Sequence, residues 1–285
     1  AQNVDDENRN WNWFNTLSYS TKIGIKHDIS GLAGIEYTKR MSHYVYISGI
    51  GIKDPSLGLI TTSNYGSVSA DEGFGENALA SYFGNLSYTF SGKYVLTGNF
   101  RADAYSGFGK NNLTGYFPSG SVAWRVSEEN FFQSLRKTIN ELKLRGSYGI
   151  TGNQNIGNYT SFASYASVSY AELPGASALN LNNPGNPSLK WERTGQLDIG
   201  ADISLLNRFT VTTDYYKKKT KDLVLANPVL ATLGFPGNSI TQNIGQIETK
   251  GFELAIQSDN FRNKNFTWQT SVNFAYNKNK VIGTN

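Results

Sequence analysis

The sequence predicts an all-β chain: an antiparallel, transmembrane β-barrel segment of about ten strands. Three observations carry that prediction. Apolar and polar residues alternate with a period of two along most of the chain, giving each strand one greasy and one wet side. The alternating segments run close to the ~9–11 residues that a tilted strand needs to cross a bilayer. Short and long connections alternate between them, as in a barrel with tight periplasmic turns and long extracellular loops.

The pattern is clearest near the end of the chain. Phe266, Trp268, Val272, Phe274 and Tyr276 share one face, and Asn265, Thr267, Gln269, Ser271 and Asn273 the other. Working from the start, residues 11–26 and 28–39 pair around a tight turn near His27. Residues 81–90 and 93–104 pair around Ser91-Gly92, a hairpin signal. Residues 116–126 and 141–150 are joined by Ser127-Glu128-Glu129-Asn130, Phe131, Phe132, Leu135 and Ile139, which predict a short, capped amphipathic helix. Residues 190–204 and 208–221 meet at Leu206-Asn207, and 245–258 and 264–277 at Asp259-Asn260. The long connections are 40–80, 105–115, 151–189 and 222–244. Loops beyond ~15 residues usually carry a function.

Individual strands show which side is wet. Leu142, Leu144, Tyr148 and Ile150 oppose Glu141, Lys143, Arg145 and Ser147, while Leu197, Ile199, Ile203 and Leu205 oppose Gln196, Asp198, Asp202 and Ser204. A charge on the lipid side costs ~2–4 kcal/mol near the midplane, so these charges face the lumen. A one-residue slip would reverse every side chain, which holds the register. A soluble sandwich also alternates, but its strands are usually nearer 5–6 residues.

Composition agrees. Hydrophobic residues make up 39% and the mean hydropathy is -0.41, an average that a half-wet barrel wall produces. No run approaches the ~18 apolar residues of a spanning helix. Aromatic residues reach 13%, suited to interfacial girdles, and Gly 29 with Pro 7 suits strands and loops. The net charge of +4 is small, and the one basic run, Lys217-Lys218-Lys219, marks a strand end at a polar boundary rather than a nucleic-acid site. There is no cysteine, hence no disulfide and no thiol nucleophile. The opening Ala-Gln-Asn-Val-Asp-Asp-Glu has no initiator Met, basic region or apolar region of a signal peptide, so the chain is expected to be a fragment.

More specific motifs follow one another. Gly115-Tyr116-Phe117-Pro118-Ser119 precedes Trp124-Arg125-Val126-Ser127-Glu128-Glu129. Leu142-Lys143-Leu144-Arg145-Gly146-Ser147-Tyr148-Gly149 leads into Thr151-Gly152-Asn153-Gln154-Asn155-Ile156-Gly157-Asn158-Tyr159. Then come Asn186-Pro187-Ser188-Leu189-Lys190-Trp191-Glu192, Asp214-Tyr215-Tyr216, Asn243-Ile244-Gly245 and Lys250-Gly251-Phe252-Glu253. In this order and spacing they resemble the barrel of SusC/RagA-like TonB-dependent transporters of the Bacteroidota, closely over residues 75–285 and more loosely over 1–74. Arg101-Ala102-Asp103-Ala104 departs from that pattern, where a Tyr usually follows the Arg.

The resemblance implies a bacterial outer-membrane location and a plugged barrel of about 22 strands, of which residues 1–285 are one partial barrel domain without plug or N-terminal domains. It also implies import of oligosaccharides or peptides, a SusD-like surface lipoprotein at the outer mouth, and a TonB complex acting through the plug. A passive porin and a secreted β-rich adhesin or lectin are the rival readings.

Most of the motifs read as structural. Arg125, Arg145, Asp198 and Glu253 are expected to line the lumen or meet the plug. Trp191, Tyr215, Tyr216 and Trp268 are expected at the membrane interface, where a ring with one polar edge is favoured. Cargo contacts are expected from loop aromatics: Tyr65, Tyr159, Phe162, Tyr165 and Tyr170. His27 and His43 lie in poor spacing for a metal, the glycine pairs Gly49/Gly51 and Gly73/Gly75 lack phosphate-loop context, and no nucleophile with base and orienting group assembles. No cofactor, no metal and no catalysis are expected.

Overall fold

A computed structural model describes residues 1–169 and 177–283. About 71% of the chain is strand. The main sheet has ten antiparallel strands: β1 (Gln2–Ile23), β2 (His27–Ile52), β3 (Tyr65–Phe90), β4 (Tyr94–Tyr105), β5 (Thr114–Arg125), β6 (Ile139–Asn153), β9 (Glu192–Leu205), β10 (Phe209–Lys221), β13 (Gln246–Arg262) and β14 (Thr267–Gly283). Two small hairpins sit in the long connections at one end: β7 (Ser164–Ser169) with β8 (Ser177–Asn183), and β11 (Val224–Pro228) with β12 (Ser239–Asn243). The main strands otherwise follow one another in chain order, and within this chain the sheet stays open between β1 and β14.

The tight turns depend on left-handed backbone. Ser91 and Gly92 have φ of 53° and 67°, and Leu206 and Asn207 have 54° and 52°. Consecutive positive φ values match the twist of the flanking strands.

Register puts the apolar residues of neighbouring strands in common rows. One such row is Tyr19, Gly31, Leu86, Gly98, Gly120, Tyr148 and Leu197. Among the described residues these stripes meet no opposing sheet: Leu17 is 77% and Phe274 54% exposed. A soluble sandwich would bury them face to face. The ten residue steps from Phe266 to Tyr276 cover roughly 34 Å along the strand, or about 26 Å of height at ~40° tilt, close to the ~25 Å apolar band of an outer-membrane barrel.

Several boundaries differ from the sequence expectation. Residues 40–80 are mostly strand: β2 and β3 pair as far as Ile52 and Tyr65, leaving 53–64 as the connection. Pairing across strands satisfies the backbone there, which intrachain periodicity does not reveal. β4 ends opposite Leu79, so residues 65–78 of β3 pair with β2 alone and stand outward by roughly 45 Å along the strand. β1 likewise begins at Gln2 rather than near residue 11. The last turn is 263–266, because a bulge between Asp259 and Phe261 lets β13 continue to Arg262. The helix expected after Ser127 is two 3-10 turns, Val126–Glu128 and Asn130–Leu135, broken by extended backbone at Glu129. The Glu129 side chain binds Lys93, Tyr94 and Trp124 (2.8, 2.5 and 3.2 Å) instead of capping.

Candidate functional site: the polar face and the outer mouth

The polar face carries two charge networks. On β4, Arg101 donates to Asp103 (2.7 Å), Glu36 (3.0 Å) and Ser81 (2.8 Å), with its guanidinium 5.5 Å from the centre of the Phe83 ring. Glu36, Ser81 and Asp103 are register partners on β2, β3 and β4, so one arginine ties three strands together. On β6, Arg145 reaches Asp214 on β10 at 2.6 and 2.8 Å, passing over β9. Gly200 makes that reach possible, since it pairs with both residues and a Cβ there would lie 2.3 Å from Asp214 and 2.8 Å from Arg145. Asp202 accepts from Arg145 (3.3 Å) and Lys143 (3.4 Å). Such charge-assisted, forked contacts brace the wall while leaving a polar surface.

Arg125 and Asp198 lie on the same side as Arg145, opposite Lys143 and Ser147 respectively, and Glu253 lies opposite Asp214. Sequence reading missed Arg101, Glu36, Gly200 and Asp214 as a set. The available signal was a glycine at a wet position of the strand lying between the arginine and its acid.

At the end with long connections, the loops fold over the polar side. Trp191 (4% exposed) lies among Tyr105, Phe108, Phe117, Ile156 and Leu189. Its Nε1 donates to the carbonyl of Leu113 (3.0 Å), and its ring centre is 5.2 Å from those of Phe108 and Phe117. The expectation of Trp191 at the lipid interface is therefore corrected: it precedes β9 and is held inside by three loops. Around it, Asn243 accepts from the backbone N–H of Lys190 (2.9 Å) and donates to the carbonyls of Lys190 and Asp222 (2.7 and 2.8 Å). Asn186 donates to the carbonyl of Thr241 (2.8 Å), and Glu192 accepts from the backbone of Val224 (2.7 Å) and from Asn153 (2.6 Å). The segment 186–192 is a clasp joining connections 106–113, 154–191 and 222–245.

Tyr216 is a second correction. It is adjacent to Tyr215, so the two point to opposite faces. Tyr215 shares the apolar row of Ile199 and Phe252, while Tyr216 lies over Gly251 on the polar side, 4.9 Å from the Lys218 ammonium. Trp268 stands on the apolar face near the 263–266 turn.

The loop aromatics separate into two groups. Tyr65 opens β3 and is 4% exposed, its ring against Gly49, where a Cβ would come within 2.5 Å. It is a strand residue, not the loop residue expected. Tyr159 has φ 62°, strained for a ring-bearing residue, and its hydroxyl accepts from the Glu76 backbone (3.1 Å). Phe162 and Tyr165 are 52% and 65% exposed. Tyr170 lies outside the described residues.

A family model described as "TonB dependent receptor-like, beta-barrel" matches residues 1–285. The chain belongs to this family. TonB-dependent receptor P26 of Formosa agariphila is 37% identical over 282 residues, covering 96% of this chain and 28% of that receptor. TonB-dependent receptor SusC of Bacteroides thetaiotaomicron is 39% identical over 212 residues, 72% of this chain and 21% of SusC. The chain thus spans under a third of these relatives. The structure of the RagAB peptide transporter superposes with a TM-score of 0.90 at 28% identity, over 99% of this chain and 31% of that one. The outer membrane transporter YddB from Escherichia coli shares the fold, with a TM-score of 0.65 at 12% identity. The chain is an outer-membrane β-barrel segment of SusC/RagA type.

Proposed function

We propose that the intact protein is a TonB-dependent importer of oligosaccharides or peptides too large for a porin, and that this segment forms part of its lumen wall and outer mouth. The likeness to the peptide transporter RagAB over 99% of the chain is the observation that carries this reading. The arginine networks stiffen the wall beside a plug supplied by the rest of the protein, and Arg125, Asp198 and Glu253 face that plug or the cargo. A SusD-like surface lipoprotein closes the mouth above the 186–192 clasp, and TonB moves the plug.

The exposed rings of Phe162 and Tyr165 are the cargo contacts best placed to stack on sugar rings or peptide side chains. Tyr159, anchored to β3, positions the loop beneath them. The test is uptake of labelled oligosaccharides and labelled peptides by cells carrying the full-length protein, with and without TonB. Uptake of neither class, or uptake unchanged without TonB, would reject the importer. Uptake unchanged in Phe162→Ala/Tyr165→Ala would reject the contacts alone.

A further inference from the structure

The outward face changes character abruptly near the extracellular ends of β9, β10 and β13. Tyr215, Phe252 and Tyr276 form one row across β10, β13 and β14. The next row outward is Lys217, Lys250 and Lys278. Beyond it on the same face come Lys219, and then Lys221 paired with Arg193 on β9. An aromatic row topped by cationic rows is the order expected where hydrocarbon gives way to headgroups.

A groove of about 460 Å³ lies across this boundary. Its β6 and β9 side is lined by Tyr148, Ile150 and Leu197, its β10 side by Lys217 and Lys219, and its outer end by Arg193, Lys221 and Asp222. Two acids belong to this surface, Asp222 in the groove lining and Glu248 beside it, and both are engaged: Glu248 bridges Lys217 and Lys250 (3.1 and 3.0 Å), and Asp222 pairs with Lys190 (3.1 Å). Among the described residues, Arg193, Lys219 and Lys221 have no carboxylate partner within 4.0 Å. A cluster of cations without protein partners attracts anions.

We propose that this groove binds a phosphorylated glycolipid of the outer leaflet. Its phosphates would lie among Arg193, Lys219 and Lys221, and an acyl chain would run down over Leu197 and Tyr148. Two features select a lipid over a soluble anion or an acidic protein. The groove opens on the lipid side of the wall, away from the polar face that cargo would follow. Its apolar part is continuous with the hydrocarbon-facing band, so one molecule with both phosphate and acyl chains fits both halves. Arginine adds a forked phosphate contact to the point charges of the lysines.

The test uses the full-length receptor in neutral detergent, with lipid binding read by native mass spectrometry. The probes are bisphosphorylated lipid A, its dephosphorylated form and phosphatidylethanolamine. Bisphosphorylated lipid A is expected to bind preferentially, and Arg193→Gln/Lys219→Gln/Lys221→Gln to weaken it at least tenfold, since each basic group near a lipid surface contributes severalfold. Lys218→Gln removes the same charge one residue away on the opposite face and is expected to leave binding unchanged. Heat-modifiable electrophoretic mobility confirms that each variant keeps its barrel. Equal binding of phosphorylated and dephosphorylated forms, an unaffected triple variant, or an equal loss with Lys218→Gln would overturn the proposal. So would displacement of lipid A by millimolar inorganic phosphate, which would mark a free-anion site. Loss of a co-purifying acidic protein with lipid binding intact would assign the groove to that protein instead.

Discussion

Replacing Trp191 by alanine isolates the clasp from the wall. A buried tryptophan removes 150–250 Å² from water, and Trp→Ala changes in well-packed sites typically cost 3–5 kcal/mol. Here the ring meets Tyr105, Phe108 and Phe117, and its N–H satisfies the Leu113 carbonyl, so a loss of about 4 kcal/mol is expected. At 1.4 kcal/mol per factor of ten, the opening equilibrium of the clasp rises roughly 10³-fold. The ladder of the main sheet does not depend on this ring, so the effect stays local. Hydrogen exchange of the full-length receptor in detergent reads it directly. Amides at 106–113 and 186–191 are expected to exchange far faster, while those of β13 and β14 keep their rates. Trp268→Ala, on the outward face, is expected to leave the loops protected. Unchanged exchange at 106–113 in Trp191→Ala, or acceleration spread evenly over the sheet, would refute the clasp.

Other substitutions probe separate links. Gly109→Ala places a Cβ 1.8 Å from the Pro187 carbonyl oxygen, a backbone collision, and is expected to loosen the same loops without altering heat-modifiable mobility of the barrel. Gly200→Leu drives a side chain between Arg145 and Asp214, and should lower the denaturant midpoint by more than Gly98→Leu, whose Cβ meets nothing within 4 Å. Equal shifts would show that the ion pair across β9 contributes little. Leu86→Arg puts a charge in the apolar row and is expected to destabilise membrane insertion by ~2–4 kcal/mol, whereas Asn99→Arg on the polar face is tolerated. Folding yield into vesicles distinguishes the two. In the 126–138 connection, hydrogen bonds from Lys93, Tyr94 and Trp124 hold the Glu129 carboxyl down at about 2 against an ordinary 4.5. The folded pKa is depressed, so the stabilisation is complete above the ordinary value and is lost as pH falls towards the folded one. Protease cutting of 126–138 is therefore expected to rise between about pH 4 and 2, and Glu129→Gln to cut readily at every pH. A Glu129 titration centred near 4.5 would remove this account.

The family was legible because its motifs are local strings: Leu142–Gly149, Asn186–Glu192 and Lys250–Glu253 can be recognised without coordinates. Much of their work was not. Asn186–Glu192 resembles a strand entrance in sequence, yet it closes contacts to residues 113, 222, 224, 241 and 243, all remote in the chain. The helical spacing of Phe132, Leu135 and Ile139 was real but lost to Glu129, whose carboxylate found better partners on β4 and β5.

By itself, the sequence determined the two-sidedness of the wall. Period-two alternation and turn residues such as Ser91-Gly92 and Leu206-Asn207 act within a few residues, and every strand must obey them to sit between hydrocarbon and water. Tertiary structure alone decided how far β2 and β3 extend, which acid Arg145 takes, that Trp191 turns inward, and that Tyr215 and Tyr216 part company. Each of these depends on which residue of another strand lies alongside, a register fixed by hydrogen bonds between segments tens of residues apart.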